Sequence, residues 1–388
     1  MIRIIPPRDG EDFDTFYNRA PKDIQDEMVK LKERWKKDFI VTRTEIVKKE
    51  IDTDERHHQL ILACAKTFAE TSLSQKTGYE FYFTEPLIEF SSEKKGNSLF
   101  DLLIYSEIKN SALFIECKSS VGDVTETMKQ IKLAKDHVIG KIDYLSEIIG
   151  CELEEDNIEC VLCVPFLESA KIVQAVRAQF RKPASSQKYD PKFVKLWEHM
   201  PGSETIRLNS DWEHEDATLS NILLAGYGDG ELKNQFDLPF YLNMHQFRVI
   251  KNIIVGYCYV ANKLDEENRD PKSIKKSDIF QILMDNASCG MKSDLKAELV
   301  QEKLNQVIKY GICCDLLEVV DEKRIKLKCP GTKHQTVIRN LEEKYINNWS
   351  DVKAEMDAKI EAMKDIQLKI SRKNPSIFDF SGNAENLE

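Results

Sequence analysis

Asp101, Glu116 and Lys118 are the residues whose types and spacing could do chemistry. Asp101 stands at the head of an apolar run over 102–105, and Glu116 and Lys118 stand at the tail of the next one, which begins at Leu113. Lys109, Asn110 and Ser111 supply a turn between the two runs. A tight hairpin therefore returns the Glu116–Lys118 end to the neighbourhood of Asp101. Glu116 and Lys118 are two apart and leave a strand on one face, while Cys117 between them points the other way, toward a core. Burying such charges is costly unless they are paired or bind a cation. Two carboxylates, with a carbonyl and waters, offer the hard oxygens that Mg²⁺ prefers. Such an ion polarises a phosphoryl oxygen and acidifies a bound water, and a lysine beside that water can orient it and offset charge developing on the phosphate. The pattern reads as metal-dependent phosphodiester hydrolysis, with no need for a serine or histidine nucleophile. A strand-edge salt bridge between Lys118 and one acid is the bland alternative; the apolar interior and the flanking helices favour the chemical one.

The elements that must position these residues can be read from periodicity. Ile24, Met28, Leu31 and Trp35 form one stripe of an amphipathic helix over 21–39. A second helix is expected to start at Thr53 or Asp54, either of which could cap it. Three strand-like runs follow at 79–90, 99–105 and 112–119, with 93–97 separating the first two. Helical spacing returns over 124–149, a continuous apolar run at 158–166 predicts a buried strand, and another helix is expected over 169–180. This order indicates an α/β or α+β domain with a mixed sheet flanked by helices. The stretch 181–192 reads as an exposed loop, and the glycines from Gly226 to Gly230 as a loop rather than a phosphate cradle, because their spacing and flanking elements do not fit one. Beyond 241, helices are expected at 244–263, 277–287 and 293–310, then two short strands at 313–320 and 324–328, a set that resembles a winged-helix domain. Residues 271–340 hold 13 Lys/Arg against 9 Asp/Glu, a local excess of base suited to DNA contact. Val352, Met356, Ile360, Met363, Ile366 and Ile370 form a seam on a final charged helix, which could fold back on the protein or pair two chains.

At Asp101 and Glu116-Cys117-Lys118 the chain resembles the PD-(D/E)xK nuclease superfamily, the restriction-endonuclease-like fold, over roughly residues 53–182. Phe100 stands where the motif has its proline. The resemblance implies that Asp101 and Glu116 bind Mg²⁺, with Mn²⁺ as a substitute, that the Cys117 carbonyl can join them, and that Lys118 positions the attacking water. It also implies a further acid from the first helix, with Glu55 preferred over Glu70, and Glu89 on the first strand as a third choice. Gln130 and Lys135 on the following helix could face the site, and His57 and His58 could contact phosphate; for each a surface role is the plainer reading.

Bulk properties bound these readings. The chain has 388 residues, 41% hydrophobic and 31% charged, enough for two or three domains. No apolar run is long enough to span a bilayer, and the first residues lack a secretory pattern, so a soluble, cytoplasmic protein with reduced cysteines is expected. A net charge of −10 argues against nonspecific coating of nucleic acid, though not against a local basic groove. Cys160 and Cys163, and the loose group Cys313, Cys314, Cys329 and His334, read as buried free thiols and a neighbour rather than zinc sites. The expected organisation is a helical region over 1–52, a nuclease-like α/β domain over 53–240, a winged-helix-like domain over 241–340, and a C-terminal helix and tail over 341–388. The expected activity is Mg²⁺-dependent cleavage of DNA, foreign or mobile DNA being the natural context, by a homodimer or with a partner subunit. A non-catalytic DNA-binding protein, or a nuclease subunit that needs partners, is the alternative.

Overall fold

The structure is a computed structural model that describes residues 7–8, 10–69, 71–86, 88–91, 94–98, 100–180, 193–200, 205–228, 240–260, 273–287, 293–331 and 333–373. Its contacts separate two compact units, Met1–Ile51 with Arg339–Glu388, and Asp52–Ile338. Among the described residues no helix is long and apolar enough to cross a membrane.

The first unit is helical. It holds α1 (Phe13–Arg19), the first part of α2 (Lys22–Thr67) and most of α12 (His334–Lys373). Phe13, Phe16, Ile24, Met28 and Leu31 bury against Met363, Ile366 and Ile370. Ion pairs run in antiparallel order, from Lys369–Glu27 through Arg34–Asp365 to Lys353–Glu50. The expected seam is half right. Met363, Ile366 and Ile370 are inside, but Met356 and Ile360 are exposed, and Ala354, Ala358 and Ala362 are buried instead. Alanines four apart lie on one helix face and let two backbones approach closely, so the small residues set the seam here rather than the large ones.

The second unit is built on a mixed sheet in the order β1-β4-β5-β6-β7-β8. After α3 (Ser72–Thr77), strands β1 (Glu80–Thr84), β4 (Leu102–Ser106) and β5 (Ser111–Cys117) form an antiparallel meander; a hairpin of β2 (Ile88–Ser91) and β3 (Lys94–Ser98) interrupts it. The turn between β4 and β5 closes at Asn110, whose φ of 48° is left-handed and whose side chain accepts from Tyr105 Oη at 2.8 Å. Asn tolerates that conformation better than most residues, which is why the turn falls there. Helices α4 (Val124–Ile139) and α5 (Ile142–Ile149) lead to β6 (Ile158–Pro165), and α6 (Phe166–Phe180) follows. β6 is parallel to β5 on one side and to β7 (Val194–Met200) on the other, and β8 (Thr205–Leu208) is antiparallel to β7. Helix α7 (Ala217–Ala225) ends at Gly226, and Tyr227 bridges to Ile206, so this glycine serves a helix stop and not a phosphate loop. Gly230 and the 181–192 stretch lie outside the described residues.

Register gives the sheet two distinct faces. Glu116, Leu162 and Leu196 lie side by side on one, and Cys117, Cys163 and Trp197 on the other. Leu162 and Leu196 join Phe114, Met128, Ile131, Ile172 and Val176 in the core that α4 and α6 cover. On the opposite face Phe68 stacks on Trp197 with ring centroids 5.6 Å apart.

The rest of the second unit is α8 (Gln246–Arg248), a π-helical turn (Val249–Ile254), α9 (Val255–Val260), β9 (Ser273–Lys275), α10 (Lys276–Asn286), α11 (Ser293–Cys313), β10 (Leu317–Val319) and β11 (Arg324–Leu327). β9 adds a strand that periodicity did not suggest, and the small sheet runs β10-β11-β9.

One element differs in kind from expectation. Thr53 and Asp54 do not begin a helix; α2 continues through them from Lys22 to Thr67. Asp54 is spent on Arg248, whose Nε lies 2.6 Å from Asp54 Oδ2, rather than on capping backbone amides.

A buried polar chain ties β6, β7 and the segment before α7. Trp197 Nε1 donates to His214 Nε2 at 2.8 Å, which leaves Nδ1 as the protonated nitrogen facing Glu159 Oε2 at 2.5 Å. Burial raises the Glu159 pKa, but the His214 contact outweighs it and holds the carboxyl below its ordinary value. Removing the middle member strands a buried donor and a carboxylate. His214→Ala should therefore cost on the order of 2–4 kcal/mol, read as a fall in melting temperature of several degrees. A variant that melts within about 1 °C of wild type would show that the chain carries no stability.

Candidate active site

Asp101 sits one residue before β4. Its backbone N–H donates to Ile115 O at 2.9 Å, and Leu102 pairs with Ile115, so the register carries Asp101 to the place opposite Glu116. The Cys117 N–H donates to Asp101 Oδ2 at 2.7 Å and fixes the carboxylate at the end of β5. Lys118 Nζ donates to Glu116 Oε1 at 2.6 Å. The three expected residues thus converge where β4 begins and β5 ends, their side chains 19%, 20% and 29% exposed for Asp101, Glu116 and Lys118, so solvent still reaches them.

Glu55 does not join them. Its Oε2 lies 2.9 Å from Arg248 Nη1 and 3.6 Å from Lys251 Nζ. Burial raises its pKa, and the Arg248 charge and hydrogen bond then bring it below the ordinary value. The helix residue that reaches the acids is His57, whose Nε2 is 3.4 Å from Asp101 Oδ1. His57 lies seven residues before Cys64 and eleven before Phe68, on the α2 stripe that packs on the sheet, and two residues on the helix from Glu55. That stripe was the available signal. Glu70 lies outside the described residues, as does the side chain of Glu89 on β2. Gln130 is exposed and Lys135 half-buried on α4, and neither makes a hydrogen bond or ion pair with Asp101, Glu116 or Lys118. His58 turns inward beside Tyr241, with Nδ1 3.3 Å from the phenol oxygen; burial and then the Arg248 charge push its pKa down to about 3.

Two positioning residues had no signal in the sequence. Glu85, just past β1, holds a left-handed φ of 49°, and its N–H donates to Asp101 O at 2.9 Å. Its buried carboxylate accepts from the N–H groups of Leu242 at 2.5 Å and Asn243 at 2.9 Å. A non-glycine residue in that conformation costs on the order of 1 kcal/mol, which these bonds offset. Arg248 is the second, clamped between Asp54 and Glu55. Lys303 donates to Met244 O at 2.5 Å, and burial lowers its pKa to about 8. Segment 240–248 is thus fastened beside the acids by backbone amides, a carbonyl and a guanidinium.

The electrostatics favour a cation. Burial, and next the Asp101 charge, push the Glu116 pKa up to about 7 despite Lys118. Burial works against charge on His57 and Lys118, but the acids outweigh it and raise both pKa values. Asp101 and Glu116 are hard oxygen donors, so this donor set fits Mg²⁺ or Mn²⁺; Glu55 contributes nothing to it.

Glu116 and Glu85, both pushed to about 7, make the fold hold protons that the unfolded chain releases near pH 4.5. The stability they contribute is full below about pH 4.5 and is lost as pH rises through 7. Without divalent ion, the melting temperature should fall between pH 5 and pH 8, and Glu116→Gln should remove its share, on the order of 2 kcal/mol. An unchanged slope in Glu116→Gln would show that this carboxyl does not titrate across the range.

No protein-family profile matches the chain, and no solved structure matches it. It is similar to an uncharacterized protein of Archaeoglobus fulgidus, 26% identical over 330 residues, which cover 82% of this chain and 87% of that one.

Proposed function

We propose that the protein is a Mg²⁺-dependent endonuclease that hydrolyses phosphodiester bonds in DNA, with Asp101, Glu116 and Lys118 as its catalytic residues. The observation that carries this reading is the convergence of Asp101, Glu116 and Lys118 at the end of one hairpin, with Lys118 Nζ 2.6 Å from Glu116 Oε1, the Cys117 N–H on Asp101 Oδ2, and all three side chains still reached by solvent. Such a cluster relaxes when a divalent cation joins the two carboxylates. When bound, Mg²⁺ supplies Lewis-acid polarisation of the phosphate and lowers the pKa of a coordinated water. Asp101 and Glu116 would hold that ion, and the Cys117 N–H fixes Asp101 Oδ2 beside Glu116. Lys118 passes its hydrogen bond from Glu116 to the attacking water or a phosphate oxygen. His57, whose Nε2 lies 3.4 Å from Asp101 Oδ1, is placed to donate a hydrogen bond to the phosphate.

The fold supports the reading through its layout. A meander carrying the acids, followed by helix, strand and helix, is the order of the restriction-endonuclease-like core. In the remainder, helix, strand, helix, helix, strand, strand, with the first strand beside the last, is the order of a winged helix. A winged helix offers a DNA-holding module next to the cutting one, suited to a nuclease acting on foreign or mobile DNA. Duplex cleavage requires a second site, supplied by another copy or a partner subunit.

In a supercoiled-plasmid assay with Mg²⁺ or Mn²⁺, the wild type should nick DNA, and Asp101→Ala and Lys118→Ala should each be slower by about 100-fold or more. His57→Ala should retain more activity than either. Equal nicking by wild type, Asp101→Ala and Lys118→Ala would return the triad to a structural role. No nicking, together with no Mg²⁺ binding by calorimetry, would sink the metal site itself.

A further inference from the structure

Directly behind Glu116 and Lys118, on the other face of β5, three thiols meet. Cys64 comes from α2, Cys117 from β5 and Cys163 from β6, where Cys117 and Cys163 are register partners. Their Sγ atoms all lie within 4.8 Å of one another, and all three residues are buried and free of disulfides. Among the described residues no other group of three histidine, cysteine or acidic ligand atoms is drawn together this closely.

From this convergence we propose that Cys64, Cys117 and Cys163 form a structural site for one thiophilic d¹⁰ cation, zinc. Zn–S bonds of about 2.3 Å in a tetrahedron place sulfurs about 3.8 Å apart, so the thiols need close by about an ångström at most. Soft thiolates select zinc over the magnesium that suits the acids on the opposite face, so the two sites do not compete for one ion. Binding replaces three S–H protons with one Zn²⁺, and the protons leave to solvent. The strand register also puts His199 on this face, opposite Pro165, but its ring nitrogens lie outside the 4.8 Å group, so a fourth donor would be a water or an imidazole brought in by the ion. Such an ion would staple α2 to the sheet two helical turns from His57 and one residue from both Glu116 and Lys118. The proposal stands apart from the nuclease reading, because metal content is read without any cleavage.

The test is zinc content by mass spectrometry of the full chain purified from zinc-supplemented culture. About one zinc per chain is expected in wild type, at least about tenfold less in Cys64→Ser, Cys117→Ser and Cys163→Ser, and an undiminished content in Cys160→Ser, whose thiol is buried on the opposite face. Because a core serine could disturb folding, cadmium titration of wild type gives a second measure. An ultraviolet thiolate-to-cadmium band that saturates at about one equivalent is expected. Zinc below about a tenth of an equivalent with no such band overturns the site, as does zinc that persists in the three serine variants.

Discussion

The site depends on the register between β4 and β5, which forces two carboxyls to share one end of a hairpin. Leu102 opposite Ile115 leaves Asp101 no position but the one facing Glu116, and the Cys117 amide locks it there. Burial first, and the neighbouring Asp101 charge second, disfavour ionisation of Glu116 and push its pKa up to about 7. The hairpin can sustain this because its other side chains are buried apolar residues, from Leu102 to Tyr105 and from Ala112 to Ile115, whose packing holds the register. The site is a local conflict imposed by a stable scaffold.

The surroundings divide the remaining charge so that the conflict is not relieved internally. Arg248 is committed to Asp54 and Glu55 and makes no ion pair with Asp101 or Glu116. Lys118 partly neutralises Glu116, and His57 stands at 3.4 Å from Asp101, a contact too long to be a strong bond. Glu85 keeps its carboxylate turned away toward two backbone amides while its own N–H steadies the Asp101 carbonyl. Asp54, Glu55 and Glu85 are therefore spent on structural partners, and among the described residues Asp101 and Glu116 are the acids of the hairpin left facing solvent.

How much of this was legible follows from range. The hairpin, β6 and the convergence of Asp101, Glu116 and Lys118 are written in short-range signals: apolar runs, a turn at Asn110, and two-residue alternation. The continuity of α2 was hidden because Thr53 and Asp54 look like caps, and only Arg248, far along the chain, shows what Asp54 does instead. The preference for Glu55 over Glu70 met the same difficulty, because the partner that takes up the Glu55 carboxylate, Arg248, is just as far along the chain. Glu55 is the better ligand type, but helical phase, counted back from Phe68 and Cys64, turns His57 toward the sheet. β7 escaped notice because its buried face includes Glu198, held by Ser169 and Asn209, and a charged residue reads as exposed until its partners are known. The alanine seam of α12 was overlooked because large residues dominate a pattern search, whereas close helix approach is set by small ones.

β5 carries two chemistries because a strand alternates. Glu116 and Lys118 face the solvent side, and Cys117 faces the other way into the thiol cluster, while its amide points in the plane of the sheet to Asp101. A displacement of Cys117 by a fraction of an ångström must therefore move the Asp101 bond and the two flanking side chains together, since they share one segment of backbone. Rigid packing behind the strand is the physical means by which a site at a strand end keeps its geometry. α2 closes the same loop from the other side, with Cys64 in the cluster and His57 at the acids on one helical stripe. The buried face thus sets the spacing of the exposed one, and the precision of the acid pair is limited by how firmly α2 is held against β5 and β6.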